Sequence, residues 1–116
     1  MREQKFTYEA KEQSLIVHLP RELDHHNCKN LRYDTDLILA ERCVSKIIFD
    51  FTKTEFMDSS GIGVLLSRYK QMQRSGGNIV LYGVRAQAER ILSIGGIFRL
   101  AARCATKEEA LEWERS

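Results

Sequence analysis

The chain has 116 residues, of which 43% are hydrophobic and 29% are charged, and its formal net charge is +2. This length suits a single domain, and Lys and Arg are spread too evenly to indicate nucleic-acid binding or a polybasic membrane surface. No apolar run approaches the roughly 18 residues that a membrane span requires. Residues 1–5 are polar and lead into a strand-like pattern, which argues against a signal peptide. The composition therefore predicts a globular protein with neither nucleic acid nor membrane as a partner.

The cysteine and histidine content predicts neither a disulfide framework nor a metal site. Cys28, Cys43 and Cys104 are odd in number, widely spaced and without a C-x-x-C pair, so we expect buried or half-buried free thiols in a reducing cytoplasm. His25 and His26 are adjacent, and adjacent residues cannot share one helix face as paired metal ligands do. No cofactor is predicted.

The first third of the chain predicts a β-hairpin followed by an amphipathic helix. Residues 5–10 and 14–19 are β-prone and separated by polar residues, and Pro20 ends the second strand because it cannot donate to a ladder. Asp24 is then the expected N-cap of a helix that runs to about Arg42. One face of this helix is largely apolar at three- and four-residue steps. That face consists of Cys28, Leu31, Thr35, Ile38 and Leu39.

The middle of the chain predicts a strand–helix–strand unit. Residues 44–51 are β-branched and apolar, as in a central strand that is covered on both faces. A helix begins at the serines within residues 56–63, and Ser75-Gly76-Gly77 ends it with a left-handed cap. Residues 78–82 then form another buried strand. The apolar side of the helix consists of Ile62, Leu65, Leu66, Tyr69 and Met72.

The last third predicts two short helices around an edge strand. Residues 87–94 suit a helix that Gly95-Gly96 stops, and residues 97–101 suit a short edge strand. Thr106 and Glu109 have the spacing of a capping box, which starts the final helix. The inward-facing residues are Ala88, Ile91 and Leu92 in the first helix and Ala110, Leu111 and Trp113 in the second.

The predicted elements follow one another in the order β-β-α-β-α-β-α-(β)-α. Repeated strand–helix–strand units imply parallel strands with right-handed crossovers, while the hairpin adds an antiparallel neighbour. We therefore predict the α/β class, with one small domain over residues 1–116. Its sheet should be mixed, mostly parallel and of about four to five strands, with about four helices.

The segment Phe56-Met57-Asp58-Ser59-Ser60-Gly61-Ile62-Gly63 is the strongest functional signal in the sequence. It connects a strand to a helix N-terminus, where backbone N–H groups favour negative charge. Ser59 could be a plain N-cap, worth about 1 kcal/mol, with Asp58 as the alternative cap. It could also accept a phosphate. These residues alone favour capping, and both interpretations stay open.

A phosphate on Ser59 would act on a surface rather than on the fold. It would add about −1.5 to −2 charges. The helix N-terminus would attract it by about 0.3–1 kcal/mol, while Asp58 would repel it. Because these contributions are small and opposed, we expect the domain to stay folded. A phosphate pressed against an acidic or apolar partner, in contrast, costs enough to abolish binding.

Two kinds of ligand site fit the same region less well. Gly61-Ile62-Gly63 begins like a dinucleotide-binding fingerprint, but Leu66 stands where the third glycine belongs. Asp58 with Asp50 or Glu55 would make an acid pair or a magnesium site, yet charged residues at strand ends are usually solvated. Neither signal predicts a cofactor.

A small hydrolase is a further alternative, with Ser59 as nucleophile and His25 or His26 as base. The elbow pattern G-x-S-x-G is absent, because Met57 or Asp58 stands two residues before the candidate serine. The fold would have to bring the histidines to the sheet edge where the serine lies.

Several motifs resemble the anti-sigma factor antagonists of spore-forming bacteria, which have the STAS (sulphate transporter and anti-sigma factor antagonist) fold. Asp58-Ser59-Ser60-Gly61 with Gly63 is similar to the phosphorylation loop of that family. Glu22-Leu23-Asp24-His25-His26 resembles a loop of its sporulation branch, stage II sporulation protein AA, as does Arg68-Tyr69-Lys70-Gln71 in the next helix. The resemblance continues in Ser93-Ile94-Gly95-Gly96-Ile97-Phe98 and covers nearly the whole chain.

The resemblance implies a regulatory protein of the cytoplasm without catalytic activity. Its unphosphorylated form would bind an anti-sigma factor that is also a GHKL-type serine kinase, and so release a sporulation sigma factor of the sigma F type. Phosphorylation of Ser59 by that kinase would end binding, and a PP2C-type phosphatase would remove the phosphate. The alternative is a non-phosphorylated STAS scaffold in a signalling or transport complex. The implied partner-binding residues are Glu22, Asp24, His25, His26, Asp58, Ser60, Gly61, Ile62 and Gly63.

Overall fold

The computed structural model describes residues 6–115, so residues 1–5, with the first residue of the predicted hairpin, and residue 116 lie outside the described part. Of the helices within that part, none is long and apolar enough to cross a membrane. The strands are β1 Thr7–Lys11, β2 Ser14–His18, β3 Glu22–Leu23, β4 Lys46–Asp50, β5 Phe56–Met57, β6 Asn78–Tyr82 and β7 Ala102–Cys104. The helices are α1 His25–Glu41, α2 Ser59–Arg74, α3 Ala86–Ile94 and α4 Lys107–Glu112, with a 3-10 turn at Ile97–Arg99.

The main sheet has five strands in the order β1-β2-β4-β6-β7. β1 and β2 are antiparallel, as the predicted hairpin requires, and the other neighbouring strands are parallel. Helices α1, α2 and α3 supply the crossovers between the parallel strands, because parallel strands cannot be joined by a tight turn. The prediction of an α/β domain with a mixed, mostly parallel sheet is confirmed.

Alternate residues of the central strands pack into two separate cores. Val17 and Phe49 lie in the main core, together with residues of α1, α2 and α3. Ile16 and Ile48 point to the opposite face, where Ala110 of α4 covers them. Because both faces are covered, these strands are apolar at successive positions, which is the pattern that buried parallel strands show.

The prediction of an edge strand at residues 97–101 is wrong. Ile97–Arg99 form a 3-10 turn, and the edge strand is β7, Ala102–Cys104. Gly96 has a φ of 76°, a left-handed conformation that favours glycine. This turn directs Ile97 into the main core, where it is 1% exposed. Because Ile97 packs into the core from this turn, the edge strand starts later in the chain than predicted, at Ala102.

Helix α4 is held at both ends. Thr106 Oγ1 accepts a hydrogen bond from the Glu109 N–H at 3.1 Å, as predicted, but Glu109 Oε1 accepts from the Ala105 N–H at 2.8 Å instead of from Thr106. The capping box therefore forms in its first half only. At the other end, the Lys46 ammonium donates to three backbone carbonyls at 2.9, 2.7 and 2.9 Å. Those carbonyls belong to Ala110, Leu111 and Trp113.

Candidate functional site

A small second sheet places the starts of two helices side by side. β3 and β5 pair in parallel, with Glu22 opposite Phe56 and Leu23 opposite Met57. Each strand leads into an aspartate that caps the next helix. The sequence does not predict this pair, because two-residue strands are too short to show a period of two. The signal that could have revealed it is a repeated local pattern, an apolar residue followed by aspartate and then by a helix.

Asp24 caps α1, as predicted. Its Oδ1 accepts from the Asn27 N–H at 3.0 Å, and Asn27 Oδ1 accepts from the Asp24 N–H at 2.9 Å. Asn27 Nδ2 also donates to the Glu22 carbonyl at 2.7 Å. This reciprocal capping box fixes the loop before α1, and with it the backbone of Glu22 and Asp24.

Asp58, and not Ser59, caps α2. Asp58 Oδ1 accepts from the Ser60 N–H at 2.8 Å, and its Oδ2 accepts from the His25 N–H at 3.2 Å. The expectation that Ser59 is the cap is therefore wrong, and the alternative of Asp58 is confirmed. Ser59 is instead the first residue of α2 and is exposed, while Ser60 is half-buried. One carboxylate thus joins both helix N-termini and leaves the Ser59 side chain facing solvent.

The first turn of α2 lies directly against the small sheet. A Cβ atom on Gly61 would stand 2.7 Å from Met57 Cε and 2.9 Å from Leu23 Cδ2, so the absence of a side chain permits this close approach. The side chain of Gln87, from α3, holds β5 from the other side. Its Oε1 accepts from the Met57 N–H at 2.8 Å, and its Nε2 donates to the Met57 carbonyl at 3.0 Å. Sequence reasoning did not single out Gln87, since a lone glutamine near a helix start carries no signal.

The next two predicted residues of the loop differ in their surroundings. Ile62 is half-buried and packs near the end of α3, where a Cβ atom on Gly95 would stand 2.9 Å from Ile62 Cδ1. Gly63 is exposed, and the nearest atom to a Cβ there would be Arg32 Nη2 at 4.0 Å. Gly63 therefore has room for a side chain, whereas Ile62 depends on the glycine of the neighbouring helix.

His25 and His26 are both exposed at the start of α1. Their rings meet edge to face, with 6.0 Å between the centroids. Among the hydrogen bonds of residues 6–115, none joins either ring to Ser59, and the His25 N–H is engaged by Asp58. The geometry thus brings the histidines to the edge where the serine lies, but it does not assemble a nucleophile with its base.

The alternative of an acid pair is not assembled either, although Asp50 is buried rather than solvated as expected. Asp50 Oδ1 accepts from the Thr52 N–H at 2.8 Å and from its hydroxyl at 2.6 Å, while Asp50 Oδ2 faces His18 Nδ1 at 2.6 Å. Burial alone would raise the pKa of Asp50, but hydrogen bonds from Thr52, His18 and Tyr82 outweigh it and lower the pKa. Glu55 pairs separately with Arg21 at 3.0 Å. Within residues 6–115, no group of three potential ligands could hold a metal ion.

The three cysteines are free. The prediction of buried or half-buried thiols is wrong for Cys43, which is exposed. Cys28 is the fourth residue of α1 and is 5% exposed. Burial raises the pKa of the Cys28 thiol to about 11, with smaller contributions from the carboxylates of Asp58 and Asp24. This thiol is therefore protonated at neutral pH and acts as a packing residue.

The family of the chain follows from its sequence. The STAS domain family matches residues 5–110. The chain belongs to the STAS-domain family. Over 86 residues, which is 74% of each chain, this STAS domain is 37% identical to the anti-sigma F factor antagonist of Paenibacillus polymyxa. That similarity places it among the anti-sigma factor antagonists and confirms the resemblance inferred from its motifs.

Two solved structures share the fold of this chain. One is the anti-sigma factor antagonist SpoIIAA in its unphosphorylated form, which matches at 28% identity and a TM-score of 0.84. The match covers 93% of this chain and 94% of that chain. The Bacillus cell fate determinant SpoIIAA in the phosphorylated form matches over the same share, at 28% identity and a TM-score of 0.75, with 97% of that chain covered. A phosphorylated form is therefore known for a protein that shares this fold.

Proposed function

We propose that this STAS domain is a phosphorylation-controlled antagonist of an anti-sigma factor. The observation that carries the proposal is the position of Ser59. Because Asp58 caps α2, the Ser59 hydroxyl is exposed at the first residue of that helix. A kinase can reach such a hydroxyl without unfolding any element, and the attached phosphate would lie in the positive field of the helix N-terminus.

The unphosphorylated form would bind an anti-sigma factor that is also a GHKL-type serine kinase. Binding would release a sporulation sigma factor of the sigma F type. The surface would be built from the two helix starts that the Asp58 carboxylate joins. The residues proposed to contact the partner are Glu22, Asp24, His25, His26, Asp58, Ser60, Gly61, Ile62 and Gly63.

Phosphorylation would end this binding without catalysis by the STAS domain itself. The kinase would transfer the γ-phosphoryl group of ATP to Ser59 Oγ, with ADP as the other product and loss of the hydroxyl proton. The phosphate would add about −1.5 to −2 charges beside Asp58. A PP2C-type phosphatase would hydrolyse the ester and restore the binding form. These partners place the proposed function in the cytoplasm.

The proposal is tested by incubating the protein with its cognate anti-sigma kinase and ATP, followed by mass spectrometry of the peptide that contains residues 56–63. We expect one phosphate on Ser59 in the wild type and in Ser60→Ala, and none in Ser59→Ala. Absence of phosphate on Ser59, with a kinase that binds the protein, would favour the alternative of a non-phosphorylated STAS scaffold. Phosphate on Ser60 alone would contradict the assignment of the acceptor.

A further inference from the structure

An open groove of about 480 Å³ runs between α1 and the start of α2. Its floor includes the buried side chains of Cys28 and Val64. Lys29 and Arg32 line it from α1, and Ser60 lines it from α2. Glu22 and Asp24 are not among its lining residues. The groove therefore begins at the residue next to the proposed phosphorylation site and continues along α1.

Two basic side chains line the groove and form no salt bridge with any residue in the described part of the chain, 6–115. Lys29 and Arg32 are exposed, and Arg32 Nη1 donates to the neutral Ser67 hydroxyl at 3.2 Å. Asp36 also lines the groove, but its carboxylate is paired at 2.7 Å with the buried guanidinium of Arg68. The charge of Asp36 is thus balanced from within the domain, while those of Lys29 and Arg32 face solvent.

The same face of α1 exposes apolar surface. Tyr33 lines the groove and is 65% exposed, and Leu37, one turn further along, is 48% exposed. A contiguous patch of exposed apolar side chains on a protein surface indicates an interaction site. Basic side chains beside exposed aromatic and aliphatic groups are complementary to an acidic segment that also carries an apolar side chain.

We infer that this groove binds an acidic segment of the anti-sigma kinase, with an apolar side chain of that segment packed against Tyr33 and Leu37. The inference rests on the proposed function and extends its surface to Lys29, Arg32, Tyr33 and Leu37. It also supplies a reason for the effect of phosphorylation. A segment in the groove contacts Ser60, so a phosphate on Ser59 stands within a Debye length of about 8 Å and repels it.

The test measures association of the unphosphorylated protein with its cognate anti-sigma kinase by surface plasmon resonance, at ionic strengths of about 0.05 and 0.3 M. The variant is Lys29→Glu/Arg32→Glu. The matched control, Lys11→Glu/Arg74→Glu, makes the same change in net charge away from the groove. Arg74 ends α2 about 22 Å from its start, and Lys11 is the exposed last residue of β1. Circular dichroism checks that each variant is folded.

We expect the groove variant to lower the association rate constant about tenfold or more at low salt. Because the substitutions reverse the charge of the groove, its salt dependence should also reverse, so that added salt speeds association. In the control variant, the association rate constant and its change with ionic strength should both stay within about twofold of the wild type. Tyr33→Ser should instead accelerate dissociation, since it removes apolar contact rather than charge.

The outcomes separate this inference from the proposed function. If the wild type binds and is released on phosphorylation, but the groove and control variants behave alike, the groove inference is overturned and the antagonist proposal stands. If the groove variant binds faster than the wild type, the segment is not acidic and the inference fails as well. If the wild type does not bind the kinase at all, the proposed function itself is lost.

Discussion

The side chain of Asp58 accepts a hydrogen bond from the backbone N–H of His25 at 3.2 Å, across 33 positions of the sequence. Its other carboxylate oxygen caps α2 through Ser60. Two helix starts are thereby coupled at one residue, directly before the exposed Ser59. Asp58 thus stabilises the start of α2 and fixes the relative position of the two helix starts. Its carboxylate is also the negative charge next to which a phosphate on Ser59 would lie.

Replacing Asp58 with alanine should reduce the free energy of unfolding by about 1–2 kcal/mol, because α2 loses its N-cap. Asp58→Asn is the matched comparison. Asparagine caps helices about as well as aspartate, but its amide nitrogen cannot accept the hydrogen bond that Asp58 Oδ2 receives from the His25 N–H. We therefore expect a loss smaller than that of Asp58→Ala, of about 1 kcal/mol or less. Urea unfolding followed by circular dichroism measures both. Equal loss in the two variants would show that the cap on the Ser60 N–H contributes nothing measurable to stability.

Ser59→Asp should abolish binding to the anti-sigma kinase while leaving the melting temperature within a few degrees of the wild type. The residue is exposed and caps nothing, so the new charge acts on the partner rather than on the fold. Ser59→Ala should bind constitutively. Pull-down with the kinase, together with thermal unfolding, measures these effects. A large drop in melting temperature for Ser59→Asp would contradict the surface mechanism.

Gly63→Ala should raise the free energy of unfolding by about 0.5–1 kcal/mol, because alanine favours the helix over glycine and the nearest atom to the new Cβ is 4.0 Å away. Gly61→Ala is the matched comparison in the same turn. Its Cβ would displace buried side chains of Met57 and Leu23, so we expect it to be less stable than Gly63→Ala. If Gly63→Ala also weakens kinase binding despite its greater stability, Gly63 belongs to the interface.

The protein should lose stability in acid partly through Asp50. Its folded-state pKa lies below the ordinary value of 3.8, so its contribution is complete above that value and is lost as the pH falls through the lower folded-state pKa. We expect Asp50→Asn to show a smaller loss of unfolding free energy below about pH 4 than the wild type. Thr52→Val, which removes one hydroxyl donor to Asp50, should give an intermediate result. Denaturant titrations at several pH values measure how steeply the free energy of unfolding falls with pH in each variant.

Thiol labelling should distinguish the cysteines. Cys43 is exposed and should react rapidly with a disulfide reagent at neutral pH. Cys28 is buried and its pKa is raised to about 11, so it should react only as fast as the domain opens. The fast phase should disappear in Cys43→Ser. Rapid labelling of Cys28 in that variant would show that the start of α1 opens more readily than its capping box implies.

Many of the secondary-structure elements can be predicted from short segments of the sequence. The capping residue Asp24, the apolar stripe of α1 and the glycines after α2 are local signals, and the helices begin and end close to the predicted positions. The buried strands β4 and β6 are recognisable because both of their faces are covered. The serine loop could likewise be identified from its residues and their resemblance to a family.

What the chain could not reveal locally depends on contacts between distant residues. The bond from the His25 N–H to the Asp58 carboxylate joins two helix starts that the pairing of β3 with β5 brings together. The turn at residues 97–99 rests on the burial of Ile97 in the core. The basic groove exists because α1 and α2 lie side by side. The sequence by itself thus determined the elements and the serine. Tertiary packing decided which distant groups bond to the Asp58 carboxylate, which side chains stay exposed and which charges share a surface, because each of these depends on neighbours that only the folded chain brings together.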